Sequence, residues 1–166
     1  MIKFDVQVKI GDLRNYMYSH KYGRITGKLE LILGLICLVS GIVLAKSGSE
    51  KWHAYVLFLV IFGVFFLVIS PIQTFVNSAK QYLANPMISK PLTYVLSDEG
   101  IELSQGDIVN NMPWSGVYAI RANKNNIFIY FSRFSANIIP KRCIEKELDD
   151  VIGCFKANVD SKRCKL

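Results

Sequence analysis

The sequence predicts a membrane α+β protein: a transmembrane helical hairpin joined to a small antiparallel β domain that a C-terminal helix caps. Three observations carry this prediction. Residues 54–72 form a run of 19 residues without a charge, which at the helical rise crosses ~28 Å, close to the hydrocarbon thickness of a bilayer. Ahead of it, residues 31–45 add 15 uncharged residues, or 17 with Leu29 and Glu30 counted. From Leu92 onward the pattern changes to short alternating runs separated by Gly and Asn, and then to a final helical stretch.

The chain opens with Ile2, Phe4, Val6, Val8 and Ile10 alternating with polar residues, the period of a half-buried strand. Gly11-Asp12 breaks the alternation, with Asp12 expected as a helix N-cap. Leu13, Tyr16, Met17 and His20 follow at helical spacing beside Tyr18, Lys21, Tyr22 and Arg24. Tyrosines and long cations just before an apolar span suit the headgroup layer, or a short helix packed on the soluble domain. Residues 1–28 are therefore expected to hold an N-terminal strand and a juxtamembrane helix, with residues 29–84 as the transmembrane hairpin. Its spans cover about 29–45 and 54–72, and the second helix continues to about 83. The polar stretch 46–53 forms the turn, and Pro71 is expected to kink the second span. The 28 patterned residues before the first span disfavour a cleaved signal peptide.

Asn85-Pro86 and Lys90-Pro91 end the helix. Residues 92–97, 101–104, 108–114, 116–122, 127–133 and 136–141 read as short strands, with turns at 98–100, 105–107, 123–126 and 134–135. Such spacing implies an antiparallel meander forming a curled sheet or small barrel, with Pro113 and Pro140 at strand ends or edges. Residues 1–10 are expected to add a strand to it, because their apolar alternation needs a partner face. Leu148, Val151, Ile152 and Phe155 lie at i, i+3, i+4 and i+7, and acids before them with Lys156, Lys162 and Arg163 after complement a helix dipole. This helix closes a cytoplasmic domain of residues 92–158, and 159–166 is expected to be a basic tail loose in solvent.

The net charge of +7 is unevenly placed. Residues 1–28 carry six Lys/Arg against two Asp, residues 29–91 four against two Glu, and residues 92–166 ten against nine. The basic excess therefore belongs to the membrane-proximal parts. That distribution argues against a nucleic-acid partner, which calls for a basic face on the folded domain. Two spans put both chain ends on one side. Arg14, Lys21, Arg24, Lys28, Lys80 and Lys90 flanking the spans, against Lys46 and Lys51 in the turn, predict a multi-pass protein of the cell membrane with both termini cytoplasmic. Cys37 lies inside the first span, while Cys143, Cys154 and Cys164 would face a reducing compartment. No C-x-x-C pair and only His20 and His53 leave no zinc spacing. With no nucleotide loop and no nucleophile beside a histidine, neither an enzyme nor a cofactor is expected.

Gly27, Gly34, Gly41 and Gly48 recur every seven residues, on one helical face with Glu30, Cys37 and Ala45. Gly63, Ser70, Thr74 and Asn77 make a matching row on the second span. Small residues let helix backbones approach closely in lipid. Gly34, Gly41, Gly63 and Ser70 are therefore expected to pack the two helices together, with a homo-oligomer contact or a lined pathway as the alternative use. Glu30 and His53 sit only at the span edges, which argues against a transporter.

Tyr94–Ser97 followed by Asp98-Glu99-Gly100-Ile101, the step Trp114-Ser115-x-Val117, and the run Ile138-Ile139-Pro140-Lys141-Arg142 together resemble the YcxB-like family. The resemblance implies a bacterial two-span membrane protein whose cytoplasmic part has a pleckstrin-homology-like fold, and it implies no activity. Trp114 is expected in the domain core, with a ligand contact as the alternative. Pro140, Lys141 and Arg142 form a candidate interaction site. They are either a rigid cation pair for an anionic lipid headgroup or acidic peptide, or a strand end paired with Glu145 or Glu147. The expected role is a membrane-anchored cytoplasmic interaction module that recruits a protein, peptide or anionic lipid at the inner membrane surface. The alternative is a membrane effector or accessory subunit, for example of immunity type, acting on another membrane protein through its spans.

Overall fold

The computed structural model describes residues 1–47 and 53–166. The turn expected at 46–53, with Gly48, lies largely outside the described residues. The chain divides into two compact units, one made of Met1–Tyr16 with Gln81–Leu166 and the other of Met17–Lys80.

In the first unit, strand β1 (Ile2–Val6) pairs antiparallel with β2 (Leu92–Leu96), as the N-terminal alternation predicts. Phe4 lies opposite Tyr94, and the two rings stack at 5.3 Å. β3 (Gly100–Gln105) and β4 (Ile108–Pro113) complete a four-stranded sheet in the order β1-β2-β3-β4. A two-residue turn joins β3 and β4, and there Gly106 takes φ 60°, a conformation open to residues without a Cβ. The second sheet contains β5 (Ala119–Ala122), β6 (Asn126–Tyr130), β7 (Ala136–Pro140) and β8 (Cys164–Lys165), in the order β7-β6-β5-β8.

Inward side chains of both sheets meet the C-terminal helix, Leu148–Asn158, in one core that includes Leu96, Ile120, Ile129, Ile139, Val151 and Phe155. Trp114 belongs to it, sitting edge-on to Phe155 at 6.1 Å while its indole N–H donates to the Ser97 carbonyl at 3.0 Å.

Two details differ from the sequence expectation. Residues 159–166 are not a loose tail. Val159 is buried, the Asp160 carbonyl and carboxylate accept backbone N–H groups of Arg163 and Lys162 at 2.8 Å, and the turn so formed sends Cys164–Lys165 alongside β5 as a parallel strand. The Arg163 guanidinium closes the arrangement on the Val117 carbonyl at 3.0 Å. Asp12 is also not the N-cap. Helix α1 (Ile10–Tyr22) starts two residues earlier, and the Asp12 carboxylate reaches back to accept the Lys9 backbone N–H at 2.7 Å. Asp12 thus fills the N3 position of a capping arrangement.

In the unit Met17–Lys80, helix α2 (Ile25–Lys46) and a second helical run, His53–Ala84, are each long and apolar enough to cross a membrane. The second run comprises α3 (His53–Val64), a widened π-helical turn over Phe65–Ile69, and α4 (Ser70–Ala84). The widened turn lies just before Pro71, where the sequence predicts a kink. A proline ring crowds the carbonyl four residues back, and here the Ser70 N–H bonds the Phe65 carbonyl five residues back, so the helix continues through Pro71. A short helix α5 (Pro86–Ser89) follows, capped by the Asn85 side chain, which accepts the Met87 N–H at 3.2 Å. The C-terminal helix (Leu148–Asn158) is α6.

Candidate functional site

The small residues of the hairpin interlock. A Cβ placed on Gly34 would meet the Phe66 Cβ at 2.8 Å, one on Gly41 the Val60 side chain at 3.0 Å, and one on Gly63 both the Leu38 Cβ at 2.9 Å and the Gly34 carbonyl at 3.0 Å. These glycines set how closely α2 and α3 approach. Farther along, Ser70, Thr74 and Ser78 are buried, whereas Asn77 is exposed. The row therefore advances by four residues per step beyond Ser70, and Ser78 takes the inward place expected for Asn77. Ser70 has a polar role besides its small size: the Lys21 ammonium donates to its hydroxyl, which in turn donates to the Glu30 carboxylate. Lys21 lies 3.3 Å from Glu30. Glu30 at the span edge is therefore neutralised by a neighbouring cation, which lowers the cost of holding it at the end of an apolar helix.

The Pro140–Arg142 run divides into residues with different duties. Pro140 ends β7 opposite Asn126, and the Lys141 backbone N–H donates to the Asn125 carbonyl at 2.8 Å. Arg142 is paired neither with Glu145 nor with Glu147. Its guanidinium makes two bonds to the Asp12 carboxylate, at 2.7 and 2.8 Å, and a third to the Gln7 carbonyl at 2.9 Å. Bonding to Asp12 pushes the guanidinium pKa further up. Arg142 is thus a clasp between the end of β7 and the start of α1, 130 residues earlier in the chain, and the expected pair of available cations reduces to Lys141 alone. Trp114 is buried and hydrogen-bonded to the Ser97 carbonyl. Among the described residues, no three His, Cys, Asp or Glu gather as a metal-ligand set.

A feature that sequence reasoning missed lies beside the end of β1. A cleft of about 300 Å³ is walled by Val6 at the end of β1 and Val8 just after it, Leu92 and Tyr94 of β2, and Asn137 and Ile138 of β7, with Gln81, Met87, Lys90 and Phe134 also among its lining residues. Among the described residues, Lys90 is the one charged residue lining it, and no Asp or Glu does. Tyr94 is fully buried, and its hydroxyl makes no hydrogen bond of ordinary geometry, although the Asn137 side chain beside it is near enough to favour the ionised form. Burial is the larger effect and pushes the phenol well up, so it stays protonated. Chain segments far apart in sequence assemble this cleft, and a polar atom on an inward Tyr of a strand leaves no period to read. No local signal announces it.

The family model described as YcxB-like protein matches residues 96–153. No curated protein matches the chain. The matched segment starts at the end of β2 and runs through β3–β7 into α6. It contains the Asp98-Glu99-Gly100-Ile101 step, Trp114, and Ile138–Arg142, on which the resemblance was read. Over residues 96–153, the chain is similar to the YcxB-like family.

Proposed function

We propose that the protein is a membrane-anchored interaction module. The two apolar helices hold it in a bilayer as a multi-pass protein with both termini cytoplasmic. The YcxB-like, pleckstrin-homology-like domain presents a binding surface to a protein, peptide or anionic lipid at the inner face of the cell membrane. The observation that carries this reading is the exposure of large apolar side chains on both helices. Leu35, Ile36, Val43, Leu57, Phe58 and Ile61 are each 56–62% exposed. A water-soluble protein rarely leaves contiguous apolar surface of that extent uncovered, whereas a helix in lipid satisfies every backbone group internally and needs no cover. Two largely antiparallel sheets closed by a C-terminal helix support the pleckstrin-homology-like assignment. The flanking Lys and Arg residues support the orientation.

A membrane effector acting through its spans would need helix surfaces shaped for a partner helix. The glycines suited to that purpose already meet their own hairpin, which favours the module. Exchanging the apolar helices for unrelated apolar sequences, followed by crosslinking in membranes, tests the choice. The module keeps its crosslinked partners after the exchange; their loss from a chimera whose β domain remains folded would contradict it.

A further inference from the structure

The cleft beside β1 combines enclosed volume, an unsatisfied buried polar group and charge of one sign. A buried hydroxyl without a hydrogen bond of ordinary geometry is costly and uncommon in native structures, and Tyr94 keeps such a group, with only the Asn137 side chain near it, at the floor of an otherwise open site. Above it the walls mix apolar side chains, among them Val8, Leu92 and Ile138, with the polar Gln81, Gln105 and Ser135. Two apolar lining side chains also face water: Phe134 is 77% exposed and Met87 39%. Lys90 supplies positive charge that no lining Asp or Glu among the described residues offsets. Small-ligand sites commonly consist of apolar walls with a few convergent polar groups.

We propose that this cleft binds a single-chain amphiphile with a carboxylate head, held head inward by Tyr94 and Asn137 while its apolar chain leaves over Met87 and Phe134. The Tyr94 hydroxyl and the Asn137 carboxamide are donors for the head, and Lys90 biases the site toward an anion. The hydroxyl has no exposed surface of its own, so the head reaches it with a side-chain rotation of the half-buried Asn137. An outward chain explains apolar side chains at Met87 and Phe134 that would otherwise stay wet. The source of the ligand rests on the membrane reading above: Gln81, in the last turn of the 32-residue apolar helical run His53–Ala84, and Met87, Ile88 and Lys90 just after it supply part of the lining.

The test uses the full-length protein in neutral detergent, labelled with dodecanoic acid carrying a diazirine in its chain. Adducts are mapped by mass spectrometry, with dodecanoate, dodecanol, lysophosphatidylglycerol and an apolar peptide acid as competitors. The expected adducts fall within residues 87–94 and 134–138 and are displaced best by dodecanoate. Loss of one hydrogen bond to the head corresponds to about fivefold in affinity, so dodecanol should compete at least that much less well. Tyr94→Phe should weaken labelling to a similar degree without lowering the unfolding temperature, because it also removes an unpaired buried hydroxyl. Lys90→Gln, at an exposed position, should weaken labelling most at low salt.

Adducts confined to residues 25–46 and 53–80 would overturn the proposal. So would unchanged labelling in a folded Tyr94→Phe variant, or stronger displacement by the lysophospholipid or the peptide acid. None of these results bears on whether the chimera with exchanged helices keeps its partners, so the site and the module reading fail separately.

Discussion

The hairpin and the β domain are both rich in apolar residues and use them in opposite directions. Between β1 and α6 the apolar side chains turn inward: Tyr94, Ile120, Ile129, Ile139, Val151 and Phe155 are all fully buried. Along α2 and α3 they turn outward, and only 11% of the most apolar window of each helical run is buried. What is buried between the two helices is Gly34, Cys37, Gly41 and Gly63. One unit is thus organised by removing apolar area from water, the other by close backbone approach with the apolar surface left for another solvent. The same residue type should therefore have very different energetic weight in the two places.

The largest expected difference comes from truncating one aromatic or aliphatic side chain in each unit. Phe155→Ala removes a fully buried ring in contact with Trp114 and should destabilise the β domain by about 3–5 kcal/mol. Leu57→Ala, at a position 62% exposed, should shift the unfolding of detergent-solubilised protein by less than about 0.5 kcal/mol. Denaturation followed by Trp114 fluorescence reads the first. Equal losses from the two substitutions would erase the contrast.

Next in size is the reverse substitution, adding volume where the hairpin is tight. Gly63→Val drives a branched side chain into Leu38 and the Gly34 carbonyl and should cost about 1–3 kcal/mol. It should appear as loss of an engineered α2–α3 crosslink while the β domain still melts normally. A retained crosslink would show that glycine is not what sets the helix approach.

How far the sequence reaches follows the same division. The hairpin is legible because its signal is composition over a long window, and the small-residue row is legible because seven-residue spacing keeps one helix face. β1 and the β3–β4 turn are also readable, from alternation around Phe4 and from Gly106. What escapes depends on pairs that are distant along the chain. Asp12 reads locally as an N-cap, yet its carboxylate is held by Arg142. Basic residues at 162–165 read as a solvated tail, yet buried Val159 and the Asp160 turn fold them onto β5. The cleft at Tyr94 leaves no local pattern, because its walls come from four strands, from α1 and from connecting segments.

The clasp gives a third, smaller test on the β-domain side. Arg142→Ala and Asp12→Ala should each destabilise the domain by about 2 kcal/mol, the scale of hydrogen bonds to charged groups. In the double variant the losses should overlap rather than add. Additive losses in a double-mutant cycle would mean that the two side chains act independently, and Arg142 would return to consideration as a surface cation.

The claim that the hairpin's outward apolar surface faces lipid is tested most directly by nitroxide accessibility in proteoliposomes. Spin labels are placed singly at Ile36, Leu57 and Phe58, and at Ser161 as a control, in a protein lacking its four native cysteines. The account predicts that the three helix positions are relaxed strongly by oxygen, which partitions into the bilayer, and weakly by a water-soluble nickel complex, with the opposite ranking at Ser161. Strong relaxation by the nickel complex at the helix positions, or protection from both reagents, would place those faces in water or against protein and contradict the account.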